Sequence, residues 1–551
     1  MTLAAVLSMA TIAVAIQVGP AGGVGSPAAA APQGDERPDM VLILMDDFSL
    51  ELLATMPQAQ RMQAEGATYD NAFVIDSLCC SSRAALLTGQ TPHQTGVRTN
   101  TPNDPVNPIG GYRAFEKYGD AERQFSVTLQ SGGYNTGFVG KFLNGYEGTD
   151  VDGVEQPPPK VPGWTDWQAI LSGGYNGWGF RSTYLDENGN VALLQHPKLP
   201  LSRPAEERDR HYATNVAADK AVAFIQKHEQ DEAPYFLEVA TYGPHGQLSA
   251  AYPNLNSPFP PAFADQTTPD DPVGGNCGVS SCGELTLDDL VGYGDPRDDN
   301  APTYLRPDGT TAPAPAWRTN KISLSDAQAL NRYRDRARMV QSIDRLIDRV
   351  RAAAGEDTYI FLTADNGFHL GQHQLNGGKG TPYDSDTRVP LIVVGPGVVP
   401  GARDQYVNNI DLAPTFEELA GLRSPTYRSG RSFADTLAGR HVPGARYVFF
   451  EHTYAKSQPG EVDTDEGSGG TIDLIPSYIG IRGDRGLLVR FDVDPDWEDT
   501  DYAWELYTYD VPWEDRNVFA EHANEDWVVD LMRRIRLYDD CDPAQCRAAA
   551  Q

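Results

Sequence analysis

Residues 40–45 read Met-Val-Leu-Ile-Leu-Met without a polar interruption and stop at Asp46-Asp47. A short continuous apolar run bounded by polar residues is the pattern of a strand buried on both faces. Tyr359 to Thr363 and Val389 to Gly395 repeat it, and Tyr235 to Thr241 does so around a single charged residue, Glu238. From Ala327 to Ala354 the period changes. Val340, Ile343, Ile347 and Val350 recur at helical spacing among Arg and Asp, which predicts a helix with one apolar face. Strand, helix and strand in alternation predict an α/β fold built on a doubly wound sheet.

After Gly421 the pattern changes again. Tyr447 to Phe450 reads as a strand, and Tyr478 to Arg482 and Leu487 to Phe491 flank the hairpin signal Gly483-Asp484-Arg485-Gly486. Glu505-Leu506-Tyr507 adds a further strand, and a helix around Trp527 to Leu537 closes the chain. The expected organisation is an α/β domain over residues 36–425 and a smaller antiparallel α+β subdomain over 426–551. Between Pro253 and Trp317, Pro, Gly and Asp accumulate. That segment reads as a long excursion from the core. No internal repeat is visible.

Thr2 to Val18 is apolar but shorter than the roughly 20 residues a membrane span needs. Ala29-Ala30-Ala31 offers a small-residue cleavage site, although no Lys or Arg precedes Arg37. The segment 1–31 is therefore expected to be a signal peptide, which makes the protein secreted and free of the membrane once the signal is removed. Cysteine usage agrees with export. Cys277/Cys282 and Cys541/Cys546 are two C-x4-C pairs, read most simply as local disulfides. Zinc is the alternative, disfavoured because no His lies beside either pair in sequence. Cys79-Cys80 does not fit this scheme, since adjacent cysteines bridge only with strain.

The 551 residues hold 53 Gly and 41 Pro, many loops around an ordinary core, with a net charge of −32. Such a balance argues against a nucleic-acid partner or a basic membrane-surface protein. The chemistry lies where strands end, since ligands of open α/β sheets bind at the carboxyl ends of strands. Two predicted strands end in oxygen donors, Asp46-Asp47 and Asp365-Asn366. Three carboxylates and an amide oxygen suit a hard cation, calcium ahead of magnesium. One such pair would read as a turn or cap; two, each after a buried strand, favour a metal site. A third feature is Ser77-Leu78-Cys79-Cys80-Ser81-Ser82-Arg83, followed by Ala84-Ala85-Leu86-Leu87-Thr88-Gly89. It places a thiol near a helix start with Arg one turn on.

This stretch resembles the sulfatase signature C-x-P-S-R-x-x-L-L-T-G. Further blocks resemble the same family in the same order: Met45-Asp46-Asp47, Gly140-Lys141, Gly243-Pro244-His245, Ala364 to Gly371, Gly378 to Tyr383, and Glu505-Leu506-Tyr507 with Asp510. The resemblance runs from about Asp39 to Phe519. The Cys-Cys form, Lys141-Phe142-Leu143-Asn144 and the stretch His369 to His373 are most similar to the N-acetylglucosamine-6-sulfatase and extracellular heparan endosulfatase branch.

The resemblance implies an alkaline-phosphatase-like fold with a smaller C-terminal antiparallel sheet. It implies that Cys79 is converted to formylglycine by a formylglycine-generating enzyme, a partner during maturation, and that the aldehyde hydrate supplies the nucleophilic oxygen. Arg83 would orient that hydrate. Asp46, Asp47, Asp365 and Asn366 would hold calcium. Lys141 and Lys379 would bind sulfate oxygens, and His245 would face the leaving group. Asn144 and His369 are candidate substrate contacts. The implied activity is removal of sulfate from a carbohydrate of the glycosaminoglycan type, with a 6-sulfated N-acetylglucosamine unit the leading substrate.

Two positions depart from the family pattern. Ser81 replaces the signature Pro, and Leu143 stands where many arylsulfatases carry His. Two alternatives stay open: a phosphodiester or phosphonate ester hydrolase of the same superfamily, and a non-catalytic carbohydrate-binding pseudo-sulfatase in which Cys79 remains a thiol. No run of basic residues is present to hold a long polyanion, so the acidic balance points to short or sparsely sulfated glycans.

Overall fold

The computed structural model describes residues 37–101, 104, 106–200, 202–245, 276–296, 298–317, 324–454, 475–493 and 501–551. The expected signal peptide and residues 253–275 and 297 of the Pro253–Trp317 excursion lie outside the described residues.

The apolar run of residues 40–45 forms strand β1 (Asp39–Met45). It is followed by β2 (Ala67–Phe73) and by helix α1 (Cys79–Thr88), then by β3 (Asn135–Lys141) and β4 (Asp166–Ile170). Next come β5 (Arg181–Leu185), β6 (Val191–Gln195), helix α2 (Ala213–His228) and β7 (Tyr235–Ala240). The helical periodicity becomes α3 (Asp326–Ala353), which leads into β8 (Thr358–Ala364), β9 (Leu391–Val394), β10 (Gly401–Asn408) and helix α4 (Leu412–Leu419). Ser325 caps α3 reciprocally with Gln328, satisfying N–H groups that the first turn leaves unpaired.

These ten strands form one sheet in the order β10-β2-β9-β8-β1-β7-β3-β4-β5-β6. At its centre β8, β1, β7 and β3 run parallel. Strand β1 is buried on both faces. Val41, Ile43 and Met45 pack with residues of α2 and α3, whereas Met40, Leu42 and Leu44 pack with residues of α1 and α4. The period-two alternation of a strand thus feeds two separate cores, and the architecture is three-layered. The expected strand Val389 to Gly395 is shortened to β9, which pairs antiparallel with both β8 and β2. Pro390 precedes it and has no N–H to give a ladder.

The smaller sheet is antiparallel throughout its pairings. Tyr447–His452, Tyr478–Gly483, Gly486–Asp492 and Tyr502–Tyr507 are its expected strands. It also takes Thr303–Leu305 and Thr311–Pro313 from the excursion, a contribution not expected from sequence. Cys277–Cys282 and Cys541–Cys546 are disulfides, while Cys79 and Cys80 are free and buried. A His does lie beside the second pair in space: His93 Nε2 is 3.8 Å from Cys541 Sγ. The two sulfurs are bonded to each other, so this does not revive the zinc alternative. Among the described residues no helix is long and apolar enough to cross a membrane.

Candidate active site

The four central parallel strands end on one edge of the sheet. Asp46 and Asp47 follow β1, Asp365 and Asn366 follow β8, His245 lies a short turn past β7, and Lys141 is the last residue of β3. The backbone is shaped for this convergence. Gly140 has φ 115°, and a Cβ there would lie 1.8 Å from the Ala240 carbonyl oxygen. Only glycine lets β3 approach β7 closely enough to deliver Lys141. Asp47 sits at φ 54°, a left-handed conformation that costs energy for a residue with a Cβ. Its N–H donates to Asp365 Oδ1 at 3.1 Å and its carbonyl accepts from Arg336 Nη2, so both neighbours hold the turn.

Helix α1 brings the thiol to the same place. Cys79 is its first residue and Arg83 lies one turn on, so the two share a face. Ser82 Oγ donates to the Asp365 carbonyl, pinning the helix against the end of β8, and Gly89 ends the helix in a left-handed conformation. Arg83 donates from Nε to Asp365 Oδ2 at 2.8 Å and from Nη1 to the Lys141 carbonyl at 2.7 Å.

Two lysines converge on the sulfur. Lys141 Nζ is 3.2 Å and Lys379 Nζ 2.7 Å from Cys79 Sγ. Lys141 also donates to Asp46 Oδ2 at 2.7 Å, and Lys379 to Asp47 Oδ1. Cys79 Sγ lies 3.5 Å from Asp46 Oδ1 and 3.8 Å from Asp47 Oδ1. Every one of these groups is buried. Burial drives the Cys79 thiol well above its ordinary range, and the two lysines do not prevail against it. Burial also opposes the charge on Lys141, yet Asp46 and the sulfur keep its ammonium well above its usual range. Lys379 is held up against burial in the same way by Asp47 and the sulfur. Burial likewise works against the Asp47 carboxylate, but Lys379, His245 and Lys141 hold it well below the usual range. Asp365 is pushed up by burial and by Asp46, with Arg83 only partly offsetting them.

His245 stacks at 4.6 Å on Tyr175, with Nε2 3.4 Å from Asp47 Oδ2. Burial and the cations Lys141, Lys379 and Arg336 push it down to about 3 despite Asp47, so its imidazole is neutral near neutral pH. As a thiol, Cys79 is thus a poor nucleophile, because the thiolate is the reactive form.

The oxygen donors fit a hard divalent cation. Asp46, Asp47, Asp365 and Asn366 are fully buried, and Asn366 Oδ1 and Asp47 Oδ2 have no hydrogen-bond donor. Asn366 Nδ2 donates to Asp47 Oδ1 at 2.8 Å, which places the two residues side by side. Buried polar atoms left without a donor are costly, so both oxygens are open to a ligand. Ligand atoms of Asp46, Cys79 and Asp365 lie within 4.8 Å of one another. A cation among these oxygens would also free Lys141 and Lys379, whose ammonium groups now neutralise Asp46 and Asp47, to meet an anion.

The remaining expected site residues sit around this centre. Asn144 accepts at Oδ1 from Tyr175 Oη at 3.2 Å, and its N–H donates to Cys80 Sγ at 3.1 Å. His369 is buried, with Nδ1 2.9 Å from Asp386 Oδ1. Asp386 Oδ2 accepts from the N–H and hydroxyl of Thr381 at 3.0 and 2.6 Å. His369 also exchanges two backbone hydrogen bonds with Gly378. These bonds clamp the segment that carries Lys379.

Sequence reasoning missed Asp386, Tyr175, Tyr242 and Arg336. Arg336 had a signal. It falls on the apolar stripe of α3 between Tyr333 and Val340, where a charge needs a buried partner. It finds the carbonyls of Pro244, at 2.9 Å, and of Asp47.

The sulfatase family model matches residues 38–422, and the model described as N-sulphoglucosamine sulphohydrolase, C-terminal, matches residues 371–539. Arylsulfatase of Volvox carteri is 30% identical over 426 residues, 72% of this chain and 58% of that protein. N-acetylglucosamine-6-sulfatase of Homo sapiens is 30% identical over 417 residues, 74% of this chain and 65% of that protein. The chain thus spans less than two thirds of the length of either relative. A solved structure, described as in complex with its substrate D-glucosamine-2-N,6-O-disulfate, superposes with a TM-score of 0.60 at 19% identity. That superposition covers 92% of this chain and 99% of the other, and it shows a shared fold.

Proposed function

The chain belongs to the sulfatase family, and from that premise we propose that it is a secreted sulfuric ester hydrolase that removes sulfate from a carbohydrate. The substrate unit we assign is a 6-sulfated N-acetylglucosamine, in keeping with the human relative's name. The observation that carries this reading is the convergence on Cys79 Sγ of two ammonium groups, at 3.2 and 2.7 Å, beside a cluster of buried oxygen donors. A buried, protonated thiol gains nothing from that setting. An oxygen nucleophile attacking an anion gains a great deal.

In this reading residues 36–425 form the catalytic domain and 426–551 the C-terminal subdomain. Cys79 is the residue modified to formylglycine, and its aldehyde hydrate supplies an oxygen nucleophile with a second hydroxyl on the same carbon. Asp46, Asp47, Asp365 and Asn366 would hold a calcium ion, which would supply fixed positive charge to the site. Lys141 and Lys379 bind two of the sulfate oxygens and spread the charge that develops on them. Arg83 keeps Asp365 and the end of β3 in register through two hydrogen bonds. His245 is neutral in the free site. An entering sulfate offsets the three cations that depress it, so His245 can carry a proton to the departing sugar oxygen. Asn144 and Tyr175 border the sugar side. His369 acts through Asp386 on the Lys379 segment.

Mass spectrometry of the Cys79 peptide from the native host tests the nucleophile. The expected mass replaces the thiol by an aldehyde or its hydrate, whereas an intact alkylatable thiol overturns the mechanism. In the same preparation, sulfate should be released from an aryl ester in preference to phosphate. Chelation should remove activity and calcium should restore it.

A further inference from the structure

A cavity of about 310 Å³ opens beside the reactive centre. Its volume is at the small end of the range for ligand pockets, ~300–1,000 Å³. That suits one sugar ring. Lys141, whose Nζ lies 3.2 Å from Cys79 Sγ, is one of its lining residues, and Asn144, Glu147, Ser172, Tyr175 and Tyr242 form part of the wall. Both tyrosine hydroxyls are engaged. Tyr175 Oη donates to Asn144 Oδ1 at 3.2 Å and Tyr242 Oη to the Ile170 carbonyl at 2.9 Å. Their rings pack edge to face at 4.7 Å as an apolar part of the wall, and the Tyr175 ring lies 5.1 Å from Lys141 Nζ.

Lys141 is the only cation and Glu147 the only carboxylate among the described lining residues. Glu147 Oε1 accepts from the Ser172 N–H at 2.6 Å, which fixes the carboxylate in the wall and leaves Oε2 without a partner among the described residues. A ring whose sulfate is held at Lys141 brings its other substituents toward this carboxylate. A hydroxyl or a neutral amide N–H can donate to it. A second sulfate meets a like charge with no further cation in the wall to offset it.

We infer that Glu147 makes this pocket selective for a sugar ring bearing a single sulfate, with neutral hydroxyl or amide groups at its other positions. The inference rests on the sulfatase reading and narrows its substrate class. A second sulfate within roughly 4–7 Å of the Glu147 carboxylate, in a half-solvated pocket, is repelled by an amount that corresponds to about 3- to 30-fold in affinity.

The test is a binding comparison that needs no turnover. N-acetylglucosamine 6-sulfate and glucosamine 2-N,6-O-disulfate are titrated by calorimetry into the full calcium-loaded chain, with and without Glu147→Gln. The amide oxygen of Gln can still accept from Ser172, so the wall is preserved. The parent protein should bind the monosulfated sugar more tightly, and Glu147→Gln should shift the ratio of the two Kd values toward the disulfated sugar by about 3- to 30-fold. An unchanged ratio, or no binding of either sugar, overturns the inference. Failure of the hydrolytic reading is a separate result: the Kd ratio shifts as expected while no sulfate is released.

Discussion

Lys141 and Lys379 have two sets of partners in this structure, a carboxylate each and the sulfur of Cys79. Their value to a reaction on sulfate lies in position: two buried point charges held against one atom. Lys141→Ala and Lys379→Ala should each lower kcat/KM by about 10²- to 10³-fold, the usual loss for one preorganised donor to a developing oxyanion. Replacement by Arg should not restore activity, because a planar fork cannot occupy the place of a compact ammonium. Steady-state kinetics on a sulfated aryl ester checks this, and activity within threefold of the parent in either Ala variant would remove that lysine from the site. At this scale the sequence was legible where a residue lies at a strand end. That holds for Asp46 and Asp365, which follow buried strands; Lys141 and Lys379 stood out only through the family blocks that carry them. Tyr175 and Asp386 were not legible. Asp386 lies in the turn Asp384-Ser385-Asp386-Thr387, which looks like any polar turn until the fold brings His369 to 2.9 Å. Ligation by distant partners leaves no local pattern.

Among the elements, buried strands and the amphipathic helix α3 were legible because burial acts on every residue of them. Strand direction was not. An apolar run reads the same both ways, so nothing in Leu391 to Val394 reveals that β9 is antiparallel between β8 and β2. The two short strands at residues 303–313 were hidden for a different reason. They lie at the edge of the small sheet and are only partly buried. That sheet reaches the site through Glu505, which accepts from Tyr383 Oη at 3.0 Å and from Tyr507 Oη at 2.7 Å. The Lys379 segment is thus held at one side by Glu505 and at the other by Asp386. Asp386→Asn keeps the shape but replaces one of the two oxygens that face His369 Nδ1 and the Thr381 donors by an NH2, which removes one acceptor in a buried place. The expected result is a fall in kcat of about tenfold or more, with KM changed less than about threefold and the melting temperature lowered by only a few degrees. An equal loss in kcat and in thermal stability would mean that Asp386 supports the fold and does not position Lys379.

The whole molecule sets a limit on what can reach this pocket. The net charge is −32, while the site concentrates Arg83, Lys141 and Lys379 below the surface. Exposed charges act over about a Debye length, ~30 Å at 0.01 M salt and ~8 Å at 0.15 M. A single sulfated sugar inside the pocket is governed by the near cations. A long sulfated chain must also lie along acidic surface, and its far sulfates are repelled at low salt. Raising salt from about 0.01 to 0.15 M should therefore increase kcat/KM for a long, densely sulfated chain, because screening removes the repulsion. The same change should leave kcat/KM for a monosulfated monosaccharide flat or lower it, since only the attraction to the pocket is screened. Initial rates of sulfate release on the two substrates across that salt range separate the effects. A fall with salt for the long chain would mean that a basic track receives it, and the restriction to short or sparsely sulfated glycans would then be wrong.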